Sequence, residues 1–143
     1  MATPGRPGKG NGGHRGETGV AAGSAKLLAA LTARVDGEIR FDASSRAAYA
    51  SDGSNYRQVP IGVVVPRSTE AAAAAVEVCR EHEAPLLSRG GGTSLAGQCC
   101  NEAVVIDWTK YCNRLVGVNA DSKTALVEPG AVLDNVNRAL ARH

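Results

Sequence analysis

The chain has 143 residues, about the length of one domain, and a formal net charge of +2. Arg6, Lys9 and Arg15 against Glu17 account for that excess, and only 3% of the residues are aromatic. The rest of the chain therefore has no net charge and lacks the basic surface and the aromatic side chains that are typical of a nucleic-acid-binding protein. No apolar run approaches the roughly 20 residues of a transmembrane helix, so we expect no membrane span and a cytoplasmic location.

The four cysteines do not form a recognisable metal-binding pattern. None belongs to a Cys-x-x-Cys pair, and no histidines stand nearby at a useful spacing. We therefore expect reduced thiols, as in a cytosolic protein, and no metal site. They are Cys79, Cys99, Cys100 and Cys112.

Residues 1–23 hold eight of the 17 glycines and almost no apolar side chains. Such a segment buries too little surface to offset its ordering entropy, so we predict a disordered tail. From Ser24, which is suited to cap a helix, leucines recur at helical spacing until Gly37 ends the pattern. We place the folded domain at 24–143.

The middle of the chain predicts a strand–helix–strand unit. Residues 41–60 are polar and are predicted as a surface loop with one helical turn, and Ile61–Val65 is a short buried strand. Ser68 caps a helix that must end before Pro85, and Leu86–Ser88 is a second strand that is predicted to form a parallel pair with the first through a right-handed crossover. The inner face of that helix is predicted to hold Ala72, Ala75, Val76 and Cys79.

A glycine-rich loop and a third strand, Ala103–Asp107, complete this unit, which we place at 61–112. The segments Leu115–Asn119 and Thr124–Glu128 flank a polar turn and predict an antiparallel hairpin. A helix is predicted after Pro129-Gly130. We assign residues 113–143 to the start of a second subdomain.

The loop between the second and third strands is the most informative part of the sequence. It reads Ser88-Arg89-Gly90-Gly91-Gly92-Thr93-Ser94-Leu95-Ala96-Gly97-Gln98. Glycines let backbone N–H groups turn toward a ligand at close range, and an arginine with two hydroxyls suits a phosphate or pyrophosphate. A flexible glycine-rich connection is the alternative. Because simple turns need one or two glycines, we favour the ligand-binding loop.

Two familiar phosphate-binding motifs do not match this loop. Gly92 and Gly97 have P-loop spacing, but Gln98-Cys99 stand where Lys-Ser/Thr is needed, so hydrolysis of a nucleoside triphosphate is disfavoured. The Rossmann pattern requires glycine or alanine where Leu95 stands. That pattern also opens a helix, whereas this loop leads to a strand. Loop amides, rather than a helix N-terminus, are therefore expected to hold the phosphate.

Three motifs in order resemble the FAD-binding domain of the vanillyl-alcohol-oxidase/p-cresol-methylhydroxylase family. They are Val63-Val64-Val65-Pro66-Arg67-Ser68-Thr69-Glu70, the glycine-rich stretch from Ser88 to Gln98, and Val127-Glu128-Pro129-Gly130. Within that family the chain is most similar to the branch of D-lactate dehydrogenases and the flavin subunit of glycolate oxidase. The similarity extends from about Leu27 to the C-terminus.

The resemblance implies an α+β fold of the PCMH type, with a small parallel subdomain, a mostly antiparallel one and FAD between them. It places the pyrophosphate at the loop from Arg89 to Ser94, Gly97-Gln98 along the cofactor, and Pro129-Gly130 near its flavin end. The cofactor-binding residues it implies are Arg89, Gly90, Gly91, Gly92, Thr93, Ser94, Gly97, Gln98, Pro129 and Gly130.

The resemblance also bears on how FAD is attached. Some family members link FAD covalently to a histidine just after the glycines, where this chain has Thr93. We therefore predict non-covalent FAD and regard Cys99 and Cys100 as structural.

The activity implied is oxidation of a 2-hydroxy acid such as D-lactate or glycolate, with hydride transfer to flavin N5 and a separate electron acceptor. Members of this branch are longer, and their substrate-binding and catalytic residues lie beyond the part matched here, so no catalytic residue is assigned. Two alternatives remain: a non-catalytic module that binds another pyrophosphate ligand, and a truncated fragment without function.

Overall fold

A computed structural model describes the backbone of residues 15–141 and the side chains of residues 23–141. It contains four helices and six strands within that range, in a mixed α/β arrangement. In chain order these are α1 (Arg15–Arg34), β1 (Gly37–Arg40), α2 (Ala43–Ala48), β2 (Gly62–Pro66), α3 (Thr69–Glu81), β3 (Leu86–Arg89), β4 (Val104–Asp107), β5 (Leu115–Asn119), β6 (Thr124–Val127) and α4 (Leu133–Leu140).

The main sheet has four strands in the order β1-β2-β4-β3. β2, β3 and β4 are mutually parallel. The prediction that β2 and β3 pair with each other is wrong, because β4 lies between them and pairs with both. Every residue of β4 is buried, whereas β3 alternates between exposed and half-buried positions. A strand with consecutive apolar residues is suited to the centre of a parallel sheet and one with alternating burial to its edge.

β1 was not predicted, and it pairs antiparallel with β2 at the other edge of the sheet. Its sequence, Gly-Glu-Ile-Arg, contains one large apolar residue, so it carries little strand signal of its own. The sheet therefore begins before residue 61. The division of residues 24–143 into two subdomains stays a prediction.

Helices α1 and α3 cover one face of the sheet. The larger of the two hydrophobic clusters lies between them and the sheet and includes Leu31 of α1, Val78 of α3, Val64 of β2 and Val104 of β4. Ser68 caps α3 as predicted, because its side chain accepts a hydrogen bond from the Ala71 N–H at 3.1 Å. The prediction that Val76 faces the core is wrong, since its side chain is 44% exposed. It lies roughly 100° around the helix axis from the buried Ala75.

α1 begins at Arg15, nine residues before the predicted cap. Residues 15–23, predicted to be disordered, are therefore helical here, and the rest of the predicted tail lies outside the described residues. Extending an existing helix costs far less than starting one, and Ala21 and Ala22 are strong helix formers. No helix within residues 15–141 is long and apolar enough to cross a bilayer.

The opposite face of the sheet is formed by Val63, Val65 and Val105 together with Leu87 of β3, and Tyr49 and Tyr111 pack against it. Tyr49 follows α2, so the polar segment between α2 and β2 lies over this face. The carboxyl ends of β3 and β4 meet at Arg89 and Asp107. The glycine-rich loop leaves the sheet from that edge.

β5 and β6 form the predicted antiparallel hairpin as a separate two-stranded sheet. Its turn contains Lys123 in the left-handed region, with φ of +53°. α4 follows, as predicted, but no residue of that helix is buried.

Candidate cofactor-binding site

The glycine loop, residues 90–99, follows the carboxyl end of β3 and forms most of the connection to β4, which begins at Val104. Gly92 and Gly97 have φ of +67° and +79°, a backbone region that favours glycine. A Cβ at Gly92 would lie 2.5 Å from Arg89 Nη2, and one at Gly97 would lie 2.8 Å from Tyr56 Cδ2. These two glycines are therefore required by the loop's own shape.

The amides at the tip of this loop have no partners within the described chain. None of the backbone N–H groups of residues 90–96 donates a hydrogen bond to another residue between 15 and 141. Gly91 is exposed, and a Cβ there would approach nothing closer than Thr93 Cγ2 at 3.7 Å. A run of unpaired N–H groups with open space above it is suited to an anion with several oxygens, such as a pyrophosphate.

Ser94 and Gln98 contact each other across the end of the loop. The Ser94 hydroxyl donates to Gln98 Oε1, and the Gln98 N–H donates to Ser94 Oγ at 3.3 Å. The two predicted site residues therefore lie side by side, while Thr93 remains exposed.

Arg89 is directed differently from what its predicted role implies. Its guanidinium donates to the carbonyls of Cys99 at 2.8 Å and Ser51 at 3.0 Å, and it lies 5.3 Å from the centre of the Tyr49 ring. These contacts occupy the fork of the guanidinium with the chain's own carbonyls. In this structure Arg89 holds the loop and does not project above it.

The turn at residues 51–54, which sequence reasoning treated as part of an undistinguished surface loop, supports the glycine loop. The Gly53 N–H donates to the Gly92 carbonyl at 2.9 Å, and Asp52 Oδ2 accepts from the Cys99 N–H at 3.1 Å. Hydrogen bonds from Ser54, and then from Cys99, lower the pKa of Asp52 to about 2. The Asp-Gly-Ser turn sequence was the available signal, but nothing local shows what such a turn contacts.

Pro129 and Gly130 lie at the opposite side of the same edge. A Cβ at Gly90 would be 3.9 Å from the Pro129 carbonyl oxygen, so the structure brings these two predicted site residues together. Gly130 is buried, and its N–H donates to the Cys112 carbonyl at 2.9 Å. A Cβ on Gly130 would lie 2.3 Å from the Trp108 carbonyl oxygen. Gly130 therefore packs closely against the backbone of Trp108 and Cys112, whereas its predicted role was a close approach to the cofactor.

Glu128 anchors this corner although no role was predicted for its side chain. The residue is 8% exposed, and its carboxylate accepts from the Arg114 N–H at 2.8 Å and from Arg114 Nη2 at 2.7 Å. The Arg114 guanidinium holds the pKa of Glu128 below its usual range. This pair fixes the end of β6, and with it the position of Pro129.

The titratable groups near the sheet edge have structural roles. Tyr49 donates to the buried Asp107, and burial followed by this hydrogen bond raises the pKa of Tyr49 to about 12. Burial also raises the pKa of the Cys79 thiol to about 11 and that of the Cys100 thiol. Across residues 15–141 no group of three or more His, Cys, Asp or Glu side chains is arranged to hold a metal ion.

Comparison with known proteins identifies the family. The model of the FAD-binding domain family matches residues 60–143, which include the glycine loop and Pro129-Gly130. The chain belongs to this family. Membership identifies the cofactor as FAD, and the unpaired amides of the glycine loop fit its pyrophosphate.

Curated relatives of this FAD-binding domain are named as an oxidase subunit and a dehydrogenase of hydroxy acids. The chain is 32% identical to the glycolate oxidase subunit GlcD of Bacillus subtilis over 111 residues, which cover 75% of the chain and 24% of that protein. It is 30% identical to a D-2-hydroxyglutarate dehydrogenase of Pseudomonas putida over 110 residues, covering 75% and 11%. The chain thus spans a quarter or less of these relatives.

Solved structures confirm the predicted PCMH-type fold. p-Cresol methylhydroxylase with bound substrate superposes with a TM-score of 0.66 at 18% identity, over 85% of this chain and 25% of that one. Alkyldihydroxyacetonephosphate synthase gives 0.71 at 18% identity, over 82% and 27%. The resemblance and the fold class predicted from sequence are both confirmed.

Proposed function

We propose that this chain holds FAD non-covalently, as the cofactor-binding part of an oxidoreductase that acts on a 2-hydroxy acid. The observation that supports this most strongly is the run of N–H groups at residues 90–96, which have no partner among residues 15–141 and lie beyond the carboxyl end of β3, one of the parallel strands. In open α/β sheets, ligands bind outside the carboxyl ends of the strands. The amides of the glycine loop would hold the pyrophosphate.

The other predicted residues have supporting parts in this proposal. Pro129 lies across from Gly90 and would border the cofactor beyond the pyrophosphate. Gly97 and Gln98 would lie along it, while Thr93 offers a hydroxyl for a hydrogen bond. Thr93 also occupies the position where some family members carry a linking histidine, which is why we propose non-covalent binding.

FAD held at the glycine loop would supply a hydride acceptor, flavin N5, for the alcohol carbon of the substrate, and the hydroxyl proton would pass to a separate base. The relatives named above support a small hydroxy acid as that substrate, with a separate electron acceptor regenerating the flavin. The residues described here would bind and orient the cofactor. We assign none of them to proton abstraction.

The test is a charge placed in the glycine loop. FAD is titrated into the chain, and binding is followed by flavin fluorescence for wild type, Gly91→Asp and Gly91→Asn. A carboxylate at this position would repel the pyrophosphate, so we expect Gly91→Asp to weaken binding at least about tenfold more than the neutral isostere.

Gly117→Asp is the matched control, because it adds the same charge at a position in β5 with open space around it. It should bind FAD as wild type does. Undiminished binding by Gly91→Asp would rule out the loop as the pyrophosphate site. Flavin that stays on the precipitated protein after acid denaturation would contradict non-covalent attachment.

A further inference from the structure

Both sides of the glycine loop are fastened to one short turn. On the side nearer β4, the Cys99 N–H donates to Asp52 Oδ2 at 3.1 Å, and the Cys99 carbonyl accepts from Arg89 Nη1 at 2.8 Å. Arg89 Nη2 reaches the Ser51 carbonyl at 3.0 Å. The backbone of Cys99 is therefore held by the Asp52 carboxylate, which belongs to the turn at residues 51–54, and by the Arg89 guanidinium, which also binds that turn through the Ser51 carbonyl.

The side of the loop nearer β3 is held by the same turn. The Gly92 carbonyl accepts from the Gly53 N–H at 2.9 Å. The Arg89 guanidinium lies directly against Gly92, since a Cβ there would be 2.5 Å from Nη2. The loop is thus tied at Gly92 and at Cys99, and the residues between them form its unpaired tip.

The chemistry of these contacts needs an arginine and an ionised aspartate. A guanidinium is a rigid fork that donates to two carbonyls at once, whereas a lysine ammonium is a point charge on a flexible chain. The Asp52 carboxylate accepts from Ser54 with one oxygen and from Cys99 with the other. An asparagine keeps only one acceptor oxygen, so it cannot satisfy both.

We propose that Asp52 and Arg89 are positioning residues that hold the glycine loop in its cofactor-binding shape before FAD arrives. The expected effect on FAD affinity rests on the proposed function, but the ordering of the loop can be measured without the cofactor. Arg89 acts through the loop and not by contact with the phosphates. A loop that is already ordered loses less conformational entropy when its ligand binds.

The test compares Arg89→Lys, which keeps the positive charge, with Asp52→Asn and with Arg80→Lys as a control on the exposed end of α3. The first readout is amide hydrogen exchange in the FAD-free chain, measured at the Cys99 and Gly53 N–H groups. We expect Arg89→Lys and Asp52→Asn to exchange at least about tenfold faster there than wild type, with unchanged exchange in β2 and β4 showing that the fold persists.

The second readout is FAD affinity, which we expect to fall about tenfold in both variants and to stay unchanged in Arg80→Lys. If Arg89 instead contacted the phosphates directly, Arg89→Lys would leave the exchange rates of the loop amides unchanged. The FAD affinity would then either be retained, because the lysine ammonium replaces the guanidinium, or fall without any change in the ordering of the loop. Either result overturns the proposal, and so does faster exchange with full affinity.

A wild-type chain that binds no FAD would contradict the proposed function. The exchange measurement would then still decide whether Asp52 and Arg89 order the loop, and unchanged exchange would overturn that claim.

Discussion

Gly130 fits against the segment from Trp108 to Cys112 so closely that no side chain can be accommodated. An added Cβ would lie 2.3 Å from the Trp108 carbonyl oxygen and 2.9 Å from that of Cys112, both backbone atoms. Gly117 in β5 is the opposite case, with nothing within 4 Å of an added Cβ. Replacing glycine by alanine is therefore expected to change stability differently at the two positions.

We expect Gly130→Ala to lower the free energy of unfolding by about 1–3 kcal/mol, the usual cost of overpacking a site that cannot relax. Gly117→Ala should be neutral or stabilising by up to about 1 kcal/mol, because it restricts the unfolded chain. Urea unfolding of both variants measures this. Equal stability of the two would show that Gly130 is not held against the Trp108 backbone.

At the scale of elements, β1 is tied to the segment that follows β4 through one carboxylate. Glu38 accepts from the Tyr111 hydroxyl at 2.6 Å and also from Lys110 and Arg40. These hydrogen bonds, with that of Lys110 the largest cause, lower the pKa of Glu38 to about 2. An edge strand with little apolar sequence is thus secured by polar contacts to a neighbouring loop.

This attachment predicts a pH dependence. The folded pKa of Glu38, about 2, lies below the unfolded value of about 4.3. Its stabilisation is therefore fully present above about pH 4.5 and is lost as pH falls toward 2. Glu38→Gln should cost stability at pH 6 and nearly none at pH 2, as measured by urea unfolding.

Glu102→Gln, a change at an exposed residue, is the control and should cost little at any pH. A loss in Glu38→Gln that is the same at pH 6 and pH 2 would contradict the account of this carboxylate.

Local signals were sufficient where the element depends on its own residues. The capping Ser68, the β-branched run before Pro66 and the apolar run at β4 each predicted their elements. The placement of β4 between β2 and β3 could not be predicted in this way, because strand order depends on competition for the buried centre of the sheet. β1 was missed for a related reason, since its partners, β2 and Lys110–Tyr111, are distant in sequence.

In the candidate site, too, local sequence predicted some residues, while others depend on contacts between distant parts of the chain. Composition singled out Gly90–Gly92, the family resemblance added Pro129-Gly130, and the structure brings Gly90 and Pro129 to one edge. The part played by Asp52 and Gly53 depends on contacts with residues some 40 positions away, which a turn sequence does not encode. Residue type led to the prediction that Arg89 binds the pyrophosphate, whereas in the structure its guanidinium donates to the Cys99 and Ser51 carbonyls.

At the scale of the whole molecule, burial is uneven. The strands β2 and β4 are buried on both faces, while the hairpin and α4 leave large apolar side chains in solvent, among them Leu126 at 66% and Leu133 at 70% exposed. The glycine loop leaves the sheet from β3, which pairs along its length with the buried strand β4. A rigid support is what a preorganised binding loop requires.

The central claim is that the amides of residues 90–96 hold the pyrophosphate of FAD. It is tested most directly by following the backbone amide resonances of the ¹⁵N-labelled chain during titration with FAD, with ADP and with riboflavin, which lacks phosphate. We predict that FAD and ADP shift the resonances of residues 90–96 and that riboflavin leaves them in place. FAD binding that leaves these resonances unmoved, or riboflavin shifting them equally, would contradict the account.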